Sequence, residues 1–253
     1  MNLRDVSVIV TTFNEEQNID ACLDRLGGFG EIVVVDSFST DRTLEIVRRY
    51  PAVAYVRPYE SAARQKNWAL EKVRHRWVLI LDADEVMSDE LRREIEAFDE
   101  SSGVSGFWIR RASHYIGAPI RHCGWQRDKV LRFFDRTRGR YDEAEVHEEV
   151  EVRGNTSMFH GKLAHYPYRR IEQHLEKIEA YSSRGAREFV RRGGKSPVFH
   201  MIVRPPLRLL RMYVMQGGIL DGRRGLLLCL VSSYGVFLKY AKAWEYIKCR
   251  PER

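Results

Sequence analysis

Two aspartates separated by one residue directly follow a short apolar run. Residues 77–81 read WVLIL, and Asp82, Asp84 and Glu85 come immediately after them. The run predicts a strand that is buried on both faces, as in a parallel sheet. Carboxylates at this spacing can converge on one divalent cation, and their oxygen atoms suit Mg²⁺ or Mn²⁺. The alternative is a solvated acidic turn ahead of a helix that starts near Ser88.

Two earlier strands are also followed by polar residues. Residues 6–10 (VSVIV) precede TTFNEE at 11–16, and residues 31–35 (EIVVV) precede DSFSTD at 36–41. Predicted helices alternate with these strands across short loops, which favours a right-handed, parallel, doubly wound α/β sheet. The carboxyl ends of such strands share one edge of the sheet, where ligands bind.

Phosphate-loop chemistry is not favoured. The glycines in GGFG at residues 27–30 follow a predicted helix rather than a strand, so they indicate the turn that ends that helix. The chain also has no Walker lysine motif, which argues against phosphoryl transfer of the ATP type.

The charge of the chain is concentrated in its last fifth. The net charge is +7, and residues 204–253 carry ten Lys or Arg against three Asp or Glu, which is also +7. A basic tail on a neutral body predicts an anionic partner, either a membrane surface or nucleic acid. The four cysteines form no Cys-x-x-Cys pair, so we expect neither a zinc site nor a disulfide framework. The N-terminus predicts no signal peptide.

The second half predicts a mixed-sheet section followed by helices. Strands are expected at 106–111, 129–134 and 149–152, and a long amphipathic helix at 171–192. Pro205 and Pro206 are expected to separate that helix from two more at 208–216 and 226–244. The apolar run at 226–238 is shorter than the roughly twenty residues that span a bilayer, which favours an interfacial or packed helix. Six residues of the long helix are expected to face inward: Ile171, Leu175, Ile178, Tyr181, Phe189 and Val190.

The three strand-end motifs together resemble the inverting family 2 glycosyltransferases, which have the GT-A fold. This resemblance covers about residues 4–100, with Thr11 and Phe13 standing where the family often has Pro and Tyr. The second half resembles the subfamily of lipopolysaccharide-core glucosyltransferases, which implies that a hexose is added to a lipid-linked saccharide. The segments that carry this second resemblance are GWQRD at 124–128, LRFF at 131–134, VHE at 146–148, AHY at 164–166, Lys177 with Tyr181, and GILDGRRG at 218–225.

The resemblance implies roles for individual residues. Asp84 would bind Mg²⁺ or Mn²⁺ directly, and Asp82 would reach the ribose or a metal-bound water. Arg64 and Lys66 would lie on a helix that faces the diphosphate, although a solvated helix face remains the alternative for both. The nucleotide pocket would be lined by Thr11, Asn14, Glu15, Asp36 and Ser37, of which Asp36 would bind the uracil or ribose edge.

The general base and a third metal ligand are expected from the second half. An acidic segment at 142–149 offers the base, and Glu148 is the first choice because it follows a histidine as in the subfamily. Asp142 and Glu145 are the alternatives, and so is an acidic surface loop without catalytic function. His165 is the candidate third metal ligand, with a structural histidine as its alternative.

These observations predict two regions. Residues 1–195 would form the GT-A domain, with a nucleotide-sugar half at 1–100 and an acceptor half at 101–195, and residues 196–253 a basic amphipathic helical extension. We expect a cytoplasmic enzyme on the inner face of the cytoplasmic membrane, with UDP-glucose or a similar donor and no nucleic-acid partner. The alternatives are a non-catalytic membrane-surface module and a nucleotidyltransferase on a similar sheet.

Overall fold

The computed structural model describes residues 1–142 and 150–248. The chain forms two compact units. The first, which we call the sheet unit, comprises Met1–Ala112 and Asp128–Tyr166, and the second, the helical unit, comprises Ser113–Arg127 and Pro167–Arg253. This division by packing differs from the expected functional boundary after residue 195, because the helix at 171–191 packs within the helical unit.

The described residues contain eleven strands and seven α-helices. The strands are β1 (Val6–Thr12), β2 (Glu31–Asp36), β3 (Val53–Val56), β4 (Trp77–Asp82), β5 (Glu85–Met87), β6 (Val104–Tyr115), β7 (Ala118–Pro119), β8 (Lys129–Asp135), β9 (Gly139–Tyr141), β10 (Val150–Val152) and β11 (Asn155–Tyr168). The helices are α1 (Ile19–Asp24), α2 (Thr43–Val47), α3 (Ala62–Leu70), α4 (Asp89–Ala97), α5 (Ile171–Arg191), α6 (Pro197–Leu210) and α7 (Gly222–Lys248).

The main sheet is parallel in its first half and mixed in its second. Its strand order is β3-β2-β1-β4-β8-β6-β11-β5. The pairs β3–β2, β2–β1 and β1–β4 are parallel, whereas β8 runs antiparallel to both β4 and β6. The strands β9 and β10 form a separate antiparallel pair. The predicted α/β class with a mixed second section is therefore confirmed.

Helices cover both faces of the parallel strands. Val8 and Val10 of β1 pack into a cluster that includes residues of α1, α2 and α4. Ile9, which points to the other face, packs with Val35 and with residues of α3. Because successive side chains of a strand alternate between faces, an apolar run such as β1 requires apolar cover on both sides.

Side-chain caps define where two of the helices begin. The hydroxyl of Ser61 accepts a hydrogen bond from the backbone N–H of Arg64 at the start of α3, and that of Ser88 accepts one from the N–H of Leu91 at the start of α4. Helix α2 is short and comprises the five residues Thr43–Val47.

Two expectations about the helical unit are wrong. Pro205 and Pro206 lie inside α6 rather than between helices, and the carbonyl of Pro205 accepts a hydrogen bond from Ser233 of α7 at 2.7 Å. In α5, Tyr181 and Leu175 were expected to face inward but are 62% and 40% exposed. The prediction for Ile178 is confirmed, since it is buried. The buried face of α5 also carries His174, Ser182 and Ala186, so small and polar residues replace the apolar ones that were expected there.

Helix α7 packs against both α5 and α6 within the helical unit. Among the described residues, one helical segment, Gly218–Lys248, is long and apolar enough to cross a membrane by length and composition. Only 33% of its apolar window is buried.

Candidate functional site

The register of the parallel strands aligns the predicted site residues along one edge. Thr11 of β1 pairs with Asp82 of β4, and Thr12 pairs with Asp36 of β2. The hydroxyl of Thr11 donates to Oδ1 of Asp82 at 2.9 Å. The expectation that the ends of these strands meet is thus correct.

The loop after β1 is bonded to the loop after β2. Asn14 has a positive φ of 52°, which asparagine tolerates better than most residues. Its backbone N–H donates to the hydroxyl of Ser39, and its side-chain oxygen accepts from the N–H of Thr40, both at 2.8 Å. The N–H of Glu15 donates to the hydroxyl of Thr43 at 2.8 Å. These hydrogen bonds therefore join the two polar loops to each other.

Asp36 and Ser37 lie at the base of these loops. Asp36 is fully buried, and its carboxylate accepts hydrogen bonds from the backbone N–H and the hydroxyl of Ser39, at 2.8 and 2.5 Å. The side chain of Gln65 on α3 donates to the hydroxyl of Ser37 at 3.0 Å. Within the described ranges, the buried Oγ1 of Thr12 and Oε1 of Gln65 have no hydrogen-bond partner. Buried polar atoms of native proteins usually have a hydrogen-bond partner, which can be an ordered water or an ion.

Asp82 is paired with two buried cations. Nζ of Lys66 lies 3.2 Å from its Oδ1, and Nη2 of Arg132 donates to its Oδ2. Burial alone would raise the pKa of Asp82, but the charges of Arg132 and Lys66 hold that pKa well below its usual value. Asp82 is therefore ionised and engaged by protein groups, which fits a role in orienting these cations.

Four residues of this network, Glu85, Arg111, Asp128 and Arg132, were not predicted as functional. Glu85 has no exposed surface, and its Oε1 lies 3.2 Å from Arg132 and 3.3 Å from Arg111. Arg111 also forms a two-armed pair with Asp128, with N–O distances of 2.8 and 2.9 Å. Although burial opposes it, the carboxylates of Asp82 and Glu85 raise the pKa of Arg132 well above its usual value. The only signal in the sequence was Arg132 between apolar residues of a predicted strand.

Asp84 lies beside His165. Oδ2 of Asp84 is 3.6 Å from Nε2 of His165, and both side chains are mostly buried. The antiparallel pairing of β5 with β11 holds them there, since His165 pairs with Glu85 and the N–H of Tyr166 donates to the carbonyl of Asp84 at 2.9 Å. The described residues contain no cluster of three or more His, Cys, Asp or Glu arranged to hold a metal. Mg²⁺ and Mn²⁺ often take only one or two protein ligands beside substrate phosphates, so Asp84 and His165 fit such an ion.

The remaining predicted residues lie elsewhere or outside the described residues. Arg64 is more than half exposed and forms an ion pair with Glu60 at 2.7 Å, on the surface of α3. Asp142 is exposed and lines a cavity of about 650 Å³ together with several arginines. Glu145 and Glu148 fall in residues 143–149, which the structure does not describe.

Comparison with known proteins decides the class. A family described as Glycosyl transferase family 2 matches residues 7–151, which is more than half of the chain. The chain belongs to glycosyltransferase family 2. This membership decides against the non-catalytic module and the nucleotidyltransferase.

Relatives of this family 2 glycosyltransferase extend the match to nearly the whole chain. The lipopolysaccharide core biosynthesis glycosyltransferase LpsC of Rhizobium meliloti is 30% identical over 97% of this chain and 95% of the relative. An uncharacterized glycosyltransferase of Rickettsia typhi is 27% identical over 96% of this chain and 88% of the relative. A mannosyltransferase from Pyrobaculum calidifontis, solved with GDP-Man and Mn²⁺, is 16% identical over 95% of this chain and 87% of its own, with a TM-score of 0.53. This likeness supports the GT-A fold.

Proposed function

We propose that this glycosyltransferase moves a hexose from a nucleotide sugar to a lipid-linked saccharide, such as lipopolysaccharide core, with inversion at the anomeric carbon. The observation that carries the proposal is the convergence at one sheet edge of Thr11, Asp36, Asp82 and Asp84 with the buried cation Lys66. The similarity to LpsC over nearly the full length of both chains supports the choice of acceptor.

The nucleoside would bind where the loops after β1 and β2 meet. The carboxylate of Asp36 accepts two hydrogen bonds from Ser39 and keeps lone pairs for a base or ribose. Ser37 lies next to it, and Thr11, Asn14 and Glu15 complete the pocket. UDP-glucose or a similar donor is the first choice.

The diphosphate needs positive charge as it departs. Lys66 and Arg132, which pair with Asp82, would stabilise the negative charge that develops on the departing diphosphate. Asp84 and His165 would hold a Mg²⁺ or Mn²⁺ ion, with Asp82 at a metal-bound water or the ribose. When bound, the ion supplies Lewis-acid neutralisation of the diphosphate.

A carboxylate must accept the proton of the attacking acceptor hydroxyl. We assign this role first to Glu148, with Asp142 and Glu145 as alternatives. A positioned general base accelerates such a step by about 10² to 10⁴. Single Glu148→Gln, Asp142→Asn and Glu145→Gln variants identify the base, because only the true base gives a loss of this size.

The helical unit would lie on an anionic membrane surface at the inner face of the cytoplasmic membrane. Helix α6 exposes Phe199 and Ile202, and the segment after it exposes Val214 and Met215. Helix α7 also presents an apolar stripe: Leu226, Leu230, Tyr234, Phe237 and Trp244 are all at least 39% exposed. Residues 197–248 carry eight Lys or Arg against two acids, which suits anionic headgroups.

The proposal is tested by a transfer assay on the full chain. UDP- and GDP-sugars are supplied one at a time, with and without Mn²⁺ or Mg²⁺, together with lipid-linked saccharide acceptors. Metal-dependent release of one nucleoside diphosphate with labelled sugar in the lipid fraction is the expected result. Absence of both binding and turnover with every donor would contradict the proposal.

A further inference from the structure

The sheet unit contains a cation-lined cavity of about 310 Å³ next to Asp82. Its lining, as far as the structure describes it, includes four cationic side chains and one carboxylate, that of Asp82. The cations are Lys66, Arg111, Lys129 and Arg132. A volume of this size is at the lower end of small-molecule sites, which suits one charged group with part of a sugar.

Two of these cations are buried. The side chains of Lys66 and Arg132 are only 7% and 5% exposed. The side chain of Tyr141 interacts with the guanidinium of Arg132. Tyr141 also lines the cavity.

Three of the cations contact neighbouring side chains that hold them in place. Glu85 and Asp128 do not line the cavity, but they pair with Arg111, and Glu85 also pairs with Arg132. Lys129 lies over the indole ring of Trp108, with Nζ 4.8 Å from the ring centroid. In the described ranges Lys129 forms no ion pair.

The cavity and the proposed nucleoside pocket lie on opposite sides of Asp82. The strand order β2-β1-β4-β8-β6 places Asp36 and Ser37 on one side of β4, and Lys129, Arg132 and Arg111 on the other. A donor whose base lies at β2 reaches Asp82 with its diphosphate. The cations on β8 and β6 extend beyond that point, where a second anionic group would fit.

We propose that this cavity binds a phosphoryl group carried by the saccharide acceptor. The four cations outnumber the three carboxylates that pair with them, Asp82, Glu85 and Asp128, and their Lys and Arg donors match the several oxygens of a phosphoryl group. The inference rests on the proposed function, because it names a feature of the acceptor for that transfer. The enzyme would thereby select a phosphorylated acceptor.

The test uses the full chain and inorganic phosphate as the probe. Phosphate is titrated calorimetrically in Mg²⁺ buffer, first alone and then with UDP at saturation. We expect phosphate to bind in both conditions and Lys129→Met to weaken that binding about tenfold. Lys129→Arg should retain most of it. The matched control is Lys72→Met, since Lys72 lies over the ring of Trp68 at 5.0 Å but outside the cavity.

The outcomes separate this inference from the proposed function. Phosphate that is displaced by UDP would assign the cavity to the donor diphosphate and overturn the acceptor assignment. Normal UDP binding without phosphate binding, or equal losses in Lys129→Met and Lys72→Met, would overturn the inference while leaving the transfer proposal intact. Failure of both UDP and GDP to bind under any condition would overturn both.

Discussion

Nζ of Lys66 lies 3.2 Å from Oδ1 of Asp82, so a lysine on α3 is tied to the end of β4. Two positions earlier on the same helix, Arg64 pairs with Glu60 on the exposed surface. The two cations were grouped by the sequence pattern, but the structure gives them different surroundings. Lys66 is the one that lies beside the strand-end carboxylates.

This difference predicts unequal effects of removing the two charges. Lys66→Met should weaken UDP binding about tenfold or more, because a buried charge-assisted contact to phosphate is worth about 1.5–3 kcal/mol. Arg64→Met should have the smaller effect, since an exposed ion pair contributes about 0–1 kcal/mol. Calorimetric titration of UDP into both variants measures the contrast. An effect of Arg64→Met equal to that of Lys66→Met would contradict this assignment.

Glu85 should be a determinant of stability. Replacing it by Gln removes the charge that faces Arg132 and Arg111 in a fully buried position. We expect the free energy of unfolding to fall by about 3 kcal/mol, because an arginine is left partly uncompensated in the interior. Urea unfolding of Glu85→Gln against Glu90→Gln, an exposed position on α4, provides the measurement. Equal midpoints in the two variants would show that the network is not needed for stability.

His174 should make the stability of the helical unit depend on pH. It is buried beside Tyr115, whose hydroxyl is 2.9 Å from its Nδ1, and burial lowers the pKa of His174 to about 4, with a smaller effect from Lys177. The unfolded chain, with a pKa near 6.5, binds the proton more readily, so stability is complete above pH 6.5 and is lost as the pH falls toward 4. The loss attributable to His174 is about 3 kcal/mol.

The measurement compares urea unfolding of the wild type and His174→Asn at pH 7, 5.5 and 4. Asparagine keeps a polar atom near the position of Nδ1 but does not titrate. The wild type should lose more stability than the variant across this interval. Parallel losses in the two proteins would mean that folding does not lower the pKa of His174.

The apolar surface of α6 should contribute to membrane binding. Ile202 is 66% exposed, and Ile202→Glu both removes apolar area and adds a negative charge. We expect binding to vesicles that contain phosphatidylglycerol to weaken at least tenfold. Val53→Glu on β3 is the matched control, because Val53 is an exposed aliphatic residue of the sheet unit. Equal vesicle binding by both variants would remove α6 from the membrane surface.

The edge of the site was predictable because it depends on local patterns. Each strand from β1 to β4 is an apolar run that ends in polar residues, and parallel pairing then brings Thr11, Asp36 and Asp82 to one edge. The pairing of Asp84 with His165 was expected only from the resemblance. Its structural basis is the contact of β5 with β11, two strands far apart in sequence.

The residues that the sequence did not reveal depend on long-range antiparallel pairing. Strand β8 inserts beside β4 and brings Arg132 to Asp82, fifty residues earlier in the chain. Strand β11 was not predicted at all, because it begins with the polar residues Asn155, Thr156 and Ser157. Its buried residues Phe159, Gly161 and Leu163 alternate with exposed ones. Because Gly161 has no apolar side chain, this alternation is not visible as an apolar pattern in the sequence.

Asp84 is the residue on which the proposed metal-dependent transfer depends most directly. The most direct test is calorimetric titration of UDP with and without Mn²⁺ in the wild type, Asp84→Asn and the exposed control Asp89→Asn. We predict that Mn²⁺ strengthens UDP binding at least tenfold in the wild type and in Asp89→Asn, and that this gain is lost in Asp84→Asn. An equal gain from Mn²⁺ in Asp84→Asn would contradict the assignment of the metal to this aspartate.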